Sequence, residues 1–231
     1  MTMTTEIDIA QLLADAGAVY TDSHFEFTGG AHSPSYVNCR EFLHMPPTKR
    51  ELGRRLVAPF LGSIDVVVGP ETGGRSLAEA AAAYSCEAGC PVQDAWVKVE
   101  DDPSDSTKKV ITWDEKLGFA DVICGKRVLV VDDLLTKGTT LKAVIEFLRK
   151  HGAIVYGVAV IVRREADVNA SALGVEGLHV LYDPEGLISY DVPNGESCPL
   201  CEAEVPIVID LAHGKRFIAS HPGYPTTTVK S

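Results

Sequence analysis

Apolar residues along this chain fall into two alternating spacings. Short runs such as "IDVVVGP" (64–70), "VLVVDD" (128–133) and "IVYGVAVIV" (154–162) place apolar side chains at consecutive positions. Strands buried on both faces read this way. Between them lie stretches with helical spacing. "IDIAQLLADAGAV" (7–19) predicts a helix stopped at Gly17, and "PTKRELGRRLVAPFL" (47–61) a helix with proline near its start. Leu141, Val144, Ile145 and Leu148 repeat at i, i+3, i+4, i+7, with Arg149, Lys150 and His151 at the end suited to the dipole and Gly152 to the cap. "HFEFTGGAHSPSYVNCR" (24–40) predicts two short strands around a Gly-Gly turn, and "DAWVKVE" (94–100) and "HVLYD" (179–183) two more strands. "DDPSDSTKK" (101–109) is polar throughout and predicts a mobile surface loop able to close over a ligand, with "VITW" returning from it.

Strands alternating with helices predict an α/β fold: a parallel twisted sheet flanked by helices. Ligands of such sheets bind beyond the carboxyl ends of the strands. Two of those ends carry unusual loops, "GPETGGR" (69–75) and "DDLLTKGTT" (132–140).

Composition narrows the class. A chain of 231 residues that is 45% hydrophobic can bury a core. Its 32 acids against 21 bases give a formal charge of −11, which argues against a nucleic-acid or anionic-membrane partner. The first residues, "MTMTTEIDIA", lack the basic-then-apolar pattern of a signal peptide, and no apolar run approaches a membrane span, so a cytoplasmic protein with reduced cysteines is expected. Cys39, Cys86, Cys90 and Cys124 sit in apolar or helical contexts and read as core filler.

The loop at 136–140 ends where a helix begins. Free backbone N–H groups, the positive end of the helix dipole, the close approach allowed by Gly138 and the hydroxyls of Thr136, Thr139 and Thr140 together make a phosphate cradle. Asp132 and Asp133 precede it and can accept hydrogen bonds from vicinal hydroxyls. The stretch can therefore hold a ribose 5-phosphate. Paired aspartates alone also end strands in receiver domains and Walker B strands, or simply face water; the hydroxyl-rich loop is what separates this case from those.

"VLVVDDLLTKGTT" resembles the phosphoribosyl-pyrophosphate (PRPP) signature of type I phosphoribosyltransferases. "HFEFTGGAHSPSYVNCR" is similar to the N-terminal hood segment of the orotate phosphoribosyltransferases, "VVVGPETGGRSLAEAAA" to their pyrophosphate loop, and "CPLC" followed by "VP" to a C-terminal element of one branch. The resemblance implies a type I phosphoribosyltransferase-like domain over 1–212, with a small N-terminal/C-terminal hood from about 1–45 and 185–212 and a C-terminal arm or flexible tail over 213–231. It implies transfer of a phosphoribosyl group from PRPP to orotate with Mg²⁺, in a homodimer. The alternatives are another nucleobase, or a PRPP-binding regulator with weak catalysis.

The resemblance also implies roles. Asp132 and Asp133 hold the ribose hydroxyls, directly or through the metal. Thr136, Lys137, Gly138, Thr139 and Thr140 hold the 5-phosphate, and Glu71, Thr72, Gly73 and Gly74 lie against pyrophosphate. Phe27, Thr28, Tyr36, Thr136 and Lys142 serve the base, and Lys98 joins the aspartates in catalysis. Lys108 and Lys109 are the only bases of the lid, which begins Asp101, Asp102, Pro103. Cys198 and Cys201 form a C-x-x-C whose favoured reading is a tight turn carrying two thiols. Zinc is the minority reading, because a structural site needs four ligands, and Cys86, Cys90, His213 and His221 are the conceivable second half.

Overall fold

The computed structural model describes residues 8–27, 30–165, 167–183, 190 and 198–229. In chain order the elements are α1 (Ile9–Asp15), β1 (Val19–Tyr20), β2 (Phe25–Glu26), β3 (His32–Ser33), β4 (Tyr36–Val37), α2 (Arg40–Leu43), α3 (Pro46–Val57) and β5 (Val66–Pro70). They continue with α4 (Gly73–Glu87), β6 (Gln93–Asp102), β7 (Asp105–Thr112), α5 (Phe119–Ile123), β8 (Arg127–Leu135), α6 (Thr139–Lys150) and β9 (Ile154–Arg163). The last are α7 (Ala170–Leu173), β10 (Gly177–Tyr182), α8 (Pro199–Glu202), β11 (Ile207–Val208), α9 (Gly214–Ser220) and β12 (Thr226–Thr227). They form two compact units, Met1–Leu12 with Cys39–Pro184, and Leu13–Asn38 with Glu185–Ser231.

The first unit is built on a six-stranded sheet in the order β10-β9-β8-β5-β6-β7. The five strands from β10 to β6 are parallel, as the unbroken apolar runs of β5, β8 and β9 predict. All five residues of β5 are buried, as are Val128–Val131 of β8 and Val158–Val162 of β9. The apolar face of α6 (Leu141, Val144, Ile145, Leu148) joins the same core. Each such side chain removed from water contributes about 1.5–3 kcal/mol.

The expected loop over 101–109 is instead a hairpin. β7 runs antiparallel to β6, with Asp101 opposite Lys109 and Asp102 opposite Asp105. Asp102 Oδ1 accepts the backbone N–H of Ser104 at 2.8 Å, which closes the two-residue turn. The pattern hides this strand because both of its faces are polar near the tip.

The second unit is made of short pieces from both ends of the chain. β1 pairs with β4, β2 with β3, and β11 with β12. Phe25, Phe27, Ala31 and Val208 form its core, with Tyr20 and Tyr36 against it. The segment read as an arm or flexible tail carries α9 and β12 within this unit, and Phe217 of α9 is buried. A Cβ on Gly214 would lie 1.9 Å from Val208 O, so only glycine allows α9 to start there. Two cysteines read as filler, Cys86 and Cys124, are exposed at the edges of their helices, whereas Cys39 is buried. No helix among the described residues is long and apolar enough to cross a membrane.

Candidate active site

The chain leaves the middle of the sheet in two directions. β5 leads through α4 to β6 on one side, and β8 leads through α6 to β9 on the other. β5 and β8 are parallel neighbours where the strand order reverses, with Val66 opposite Val128 and Val68 opposite Val130. Their carboxyl ends open the crevice in which sheets of this kind bind ligands.

Both helices that begin in this crevice have no acidic residue in their first turn, so the N–H groups and dipole of each are free to face an anion. Gly138 caps α6 with φ +73°. Its missing side chain matters twice, since a Cβ there would also lie 3.0 Å from Leu173 Cδ2 and 3.2 Å from Val168 Cγ1. Thr136 and Thr140 are half-buried, and Lys137, Thr139 and Lys142 are exposed.

The α4 end is packed directly onto β8. A Cβ on Gly74 would meet Val131 O at 2.7 Å, and one on Gly73 would meet Asp133 Oδ2 at 2.6 Å. The two glycines thus bring the Glu71–Gly74 loop, whose Glu71–Thr72 peptide is cis, against the aspartate pair. Glu71 N–H donates to Val97 O at 2.8 Å. Arg75 is held by Glu71 and Glu79, each at 3.2 Å, and lies 3.8 Å over the ring of Trp96. Trp96 therefore carries a cation on one face while it packs edge-on against Phe119.

Asp132 is buried, and its Oδ1 accepts the backbone N–H of Asp133 at 2.9 Å. Burial, and then the charge of Asp133, push its carboxyl well above the usual carboxylate range. Cys39, below the pair, donates its S–H toward Asp133 O at 3.9 Å and is raised by burial and by the same two carboxylates. A cation or a pair of hydroxyl donors arriving at these aspartates would relieve the charge they hold out of water.

Lys98 is exposed on β6 opposite Thr112. The lid lysines are engaged inside their own hairpin, Lys109 with Asp101 and Lys108 with Asp105 at 3.1 Å. In the second unit, Phe27 is buried and stacks on Tyr36 with ring centroids 6.1 Å apart, as part of that unit's core. Thr28 lies outside the described residues. Cys198 and Cys201 gather with His24 and His32 rather than with the cysteines and histidines expected as their second half. Cys86 and Cys90 belong to the first unit, and His221 stacks on Phe217. Both histidines lie in the segment 24–40, whose sequence marks it as a hairpin and does not mark them as ligands. Their signal was their placement on either side of a short hairpin.

The phosphoribosyl transferase domain family matches residues 50–176, which hold the whole crevice. Orotate phosphoribosyltransferase of Pelotomaculum thermopropionicum is 32% identical over 207 residues, covering 88% of this chain and 96% of that protein. The orotate phosphoribosyltransferase of Caldanaerobacter subterraneus subsp. tengcongensis is 31% identical, over 82% of this chain and 89% of its own. The crystal structure of orotate phosphoribosyltransferase from Aeropyrum pernix superposes with a TM-score of 0.60 at 25% identity, covering 76% of this chain and 93% of that one. With its parallel sheet, its cradle and its paired aspartates at the switch point, the chain belongs to the phosphoribosyltransferase family, in the group of the orotate phosphoribosyltransferases.

Proposed function

We propose that this chain transfers the phosphoribosyl group of PRPP to orotate, giving orotidine monophosphate and pyrophosphate. The observation that carries the reading is the packing of two helix N-termini and a carboxylate pair at one switch point, with Gly73 against Asp133. PRPP has one phosphate at C5 and a pyrophosphate at C1. Residues 136–140 would take the first and residues 71–74 the second. Asp132 and Asp133 would accept hydrogen bonds from the ribose hydroxyls between them.

In the reaction the C1–O bond to pyrophosphate breaks and its electron pair leaves with pyrophosphate. The lone pair of an orotate ring nitrogen forms the new bond to C1. Positive charge develops on the ribose in between, so two carboxylates beside the ring favour the transition state. Fixing both ends of PRPP removes much of the entropic cost of aligning that nitrogen with C1. Asp132 and Asp133 are oxygen donors of the hard type, and a cation beside them would favour the ionised form that burial of Asp132 opposes, so these two residues would hold Mg²⁺. When bound, Mg²⁺ neutralises pyrophosphate as a leaving group. Thr136 and Lys142 of the first unit are our candidates for the base, and Lys98 for the developing charge on pyrophosphate. We further propose a homodimer, which sedimentation at working concentration checks.

The lid favours one second reading. Its lysines are paired with Asp101 and Asp105, so closing on pyrophosphate must first break those pairs. A PRPP-binding regulator with slow turnover would tolerate this. Pyrophosphate release from PRPP and Mg²⁺, run with orotate, uracil and purine bases in turn, decides. Release with orotate alone is the expected result. Release with another base replaces the substrate, and PRPP binding without release selects the regulator.

A further inference from the structure

The second unit holds a cluster that the transfer reaction does not use. His24 Nε2 lies 2.9 Å from His32 Nδ1. Cys201 Sγ lies 3.3 Å from His32 Nδ1 and 3.8 Å from His24 Nε2. With Cys198 Sγ, the four atoms all fall within 4.8 Å of one another. Tetrahedral zinc with two nitrogen and two sulfur ligands requires ligand–ligand separations of about 3.3–3.8 Å, from bonds of about 2.0–2.1 and 2.3 Å. The cluster is already near that size.

Local structure explains how four residues distant in sequence converge. β2 and β3 pair with Phe25 opposite Ser33 and Glu26 opposite His32. Extending that register makes His24 the diagonal neighbour of His32 on one face of the hairpin. Cys198 caps the start of α8 and Cys201 lies one turn on, so both sulfurs share a face. His24, His32 and Cys198 are 0%, 4% and 1% exposed, and such burial is unusual for two imidazoles unless they are partnered.

The surroundings also resemble those of a built site. His24 Nδ1 donates to Val205 O at 2.8 Å, which leaves the lone pair of Nε2 facing the cluster. Backbone carbonyls hold metal-bound histidines in this way. Phe217 covers the cluster with its ring 5.3 Å from His32, and Tyr224 OH donates to Val205 O at 3.1 Å beside it. No carboxylate is among the ligand atoms, and nitrogen with thiolate selects zinc over the hard cations.

We propose that His24 Nε2, His32 Nδ1, Cys198 Sγ and Cys201 Sγ bind one Zn²⁺ as a closed structural site that ties the N-terminal hairpin to the C-terminal segment. All four positions are taken by protein, so the ion has no open place for substrate and its role is to hold the unit together. Both thiols lose their protons on binding, and two thiolates balance the charge of the ion. The site stands whether or not orotate is the substrate.

The untagged full chain, dialysed against metal-free buffer, is expected to retain stoichiometric zinc. Co²⁺ added to the stripped protein should give the intense d–d bands of tetrahedral cobalt together with a thiolate charge-transfer band. His32→Ala and Cys201→Ser should each weaken Co²⁺ affinity at least about tenfold and reduce the charge-transfer intensity or shift the bands. Should either variant fail to fold, the unaltered chain decides. A strong chelator should then lower its melting temperature and speed the reaction of Cys198 and Cys201 with a thiol reagent, and added Zn²⁺ should reverse both. A chain that takes up neither ion, cobalt bands without sulfur ligation, or a Cys198–Cys201 disulfide in protein kept reduced would each overturn the proposal.

Discussion

Gly73 and Gly74 are adjacent at the start of α4, yet a methyl group on each would have different consequences. On Gly74 it would meet Pro70 Cδ at 2.5 Å and Val131 O at 2.7 Å, in packed ring and backbone that have little room to shift. Gly74→Ala should destabilise the protein by about 2–4 kcal/mol, read by denaturant unfolding. On Gly73 the obstacle is the end of the Asp133 side chain, which can swing away. Gly73→Ala should leave stability within about 1 kcal/mol and raise the KM for PRPP about tenfold or more, because it displaces the carboxylate proposed to hold the ribose. Asp132 gives the complementary case. Its folded carboxyl titrates above its unfolded one, so this group favours folding at low pH and that contribution is lost as pH rises through the raised value. In the absence of ligand, Asp132→Asn should therefore raise the melting temperature at neutral pH. The same change should lower kcat/KM by about 10²–10³-fold. A reversed sign in the melting experiment would mean that the buried carboxyl is not under strain.

At the scale of elements, the strands and helices around the crevice were readable because each has a strong local period. β5, β8 and β9 are apolar at consecutive positions, and α6 repeats its apolar face. The lid hairpin was not readable as strand, because polar residues occupy both faces of β7 near the turn. The sequence Asp-Pro-Ser-Asp is nevertheless a turn signal, with aspartate first and proline second, and read that way it would have turned a loop into a hairpin. The metal cluster was half legible. C-x-x-C offered two possible ligands, which the sequence alone ranks behind a tight turn, whereas the other two depend on a β-pairing register that no local pattern states. Within α3, Glu51 accepts from Arg54 at 2.7 and 2.8 Å and from Arg55 at 2.8 Å. Hydrogen bonds from Arg54 first, and from Arg55, hold its carboxyl down at about 2. Its contribution to stability is full above the ordinary carboxylate value and is lost as pH falls toward 2. Glu51→Gln should cost about 1–2 kcal/mol at neutral pH. The difference between variant and parent should close in acid unfolding curves near pH 2.

At the scale of the molecule, the two units hold two chemistries that can be addressed separately. PRPP contacts, as proposed, fall in the first unit and the metal cluster in the second. Hydrogen exchange followed by peptide should separate them. PRPP with Mg²⁺ should slow exchange over 66–75 and 128–140, and at about a hundredfold excess over its Kd should add about 2.7 kcal/mol to the stability of that unit. Chelation of zinc should speed exchange over 24–33 and 198–208 and leave 128–140 unchanged. One common response to both treatments would mean that the units unfold as one.

The composition of the second unit from both ends of the chain also sets an order of events during synthesis. β2 and β3 leave the ribosome well before Val208, which completes their core, and the C-x-x-C, both more than 150 residues later. The sheet of the first unit emerges entirely in between and can close while the N-terminal hairpin still waits. Until the last segment arrives, Phe25, Phe27 and two histidines are left uncovered on a two-stranded ribbon that is marginal by itself. For this protein the vulnerable interval is the wait of that hairpin for its distant partners, and residues 198–208 decide whether it survives.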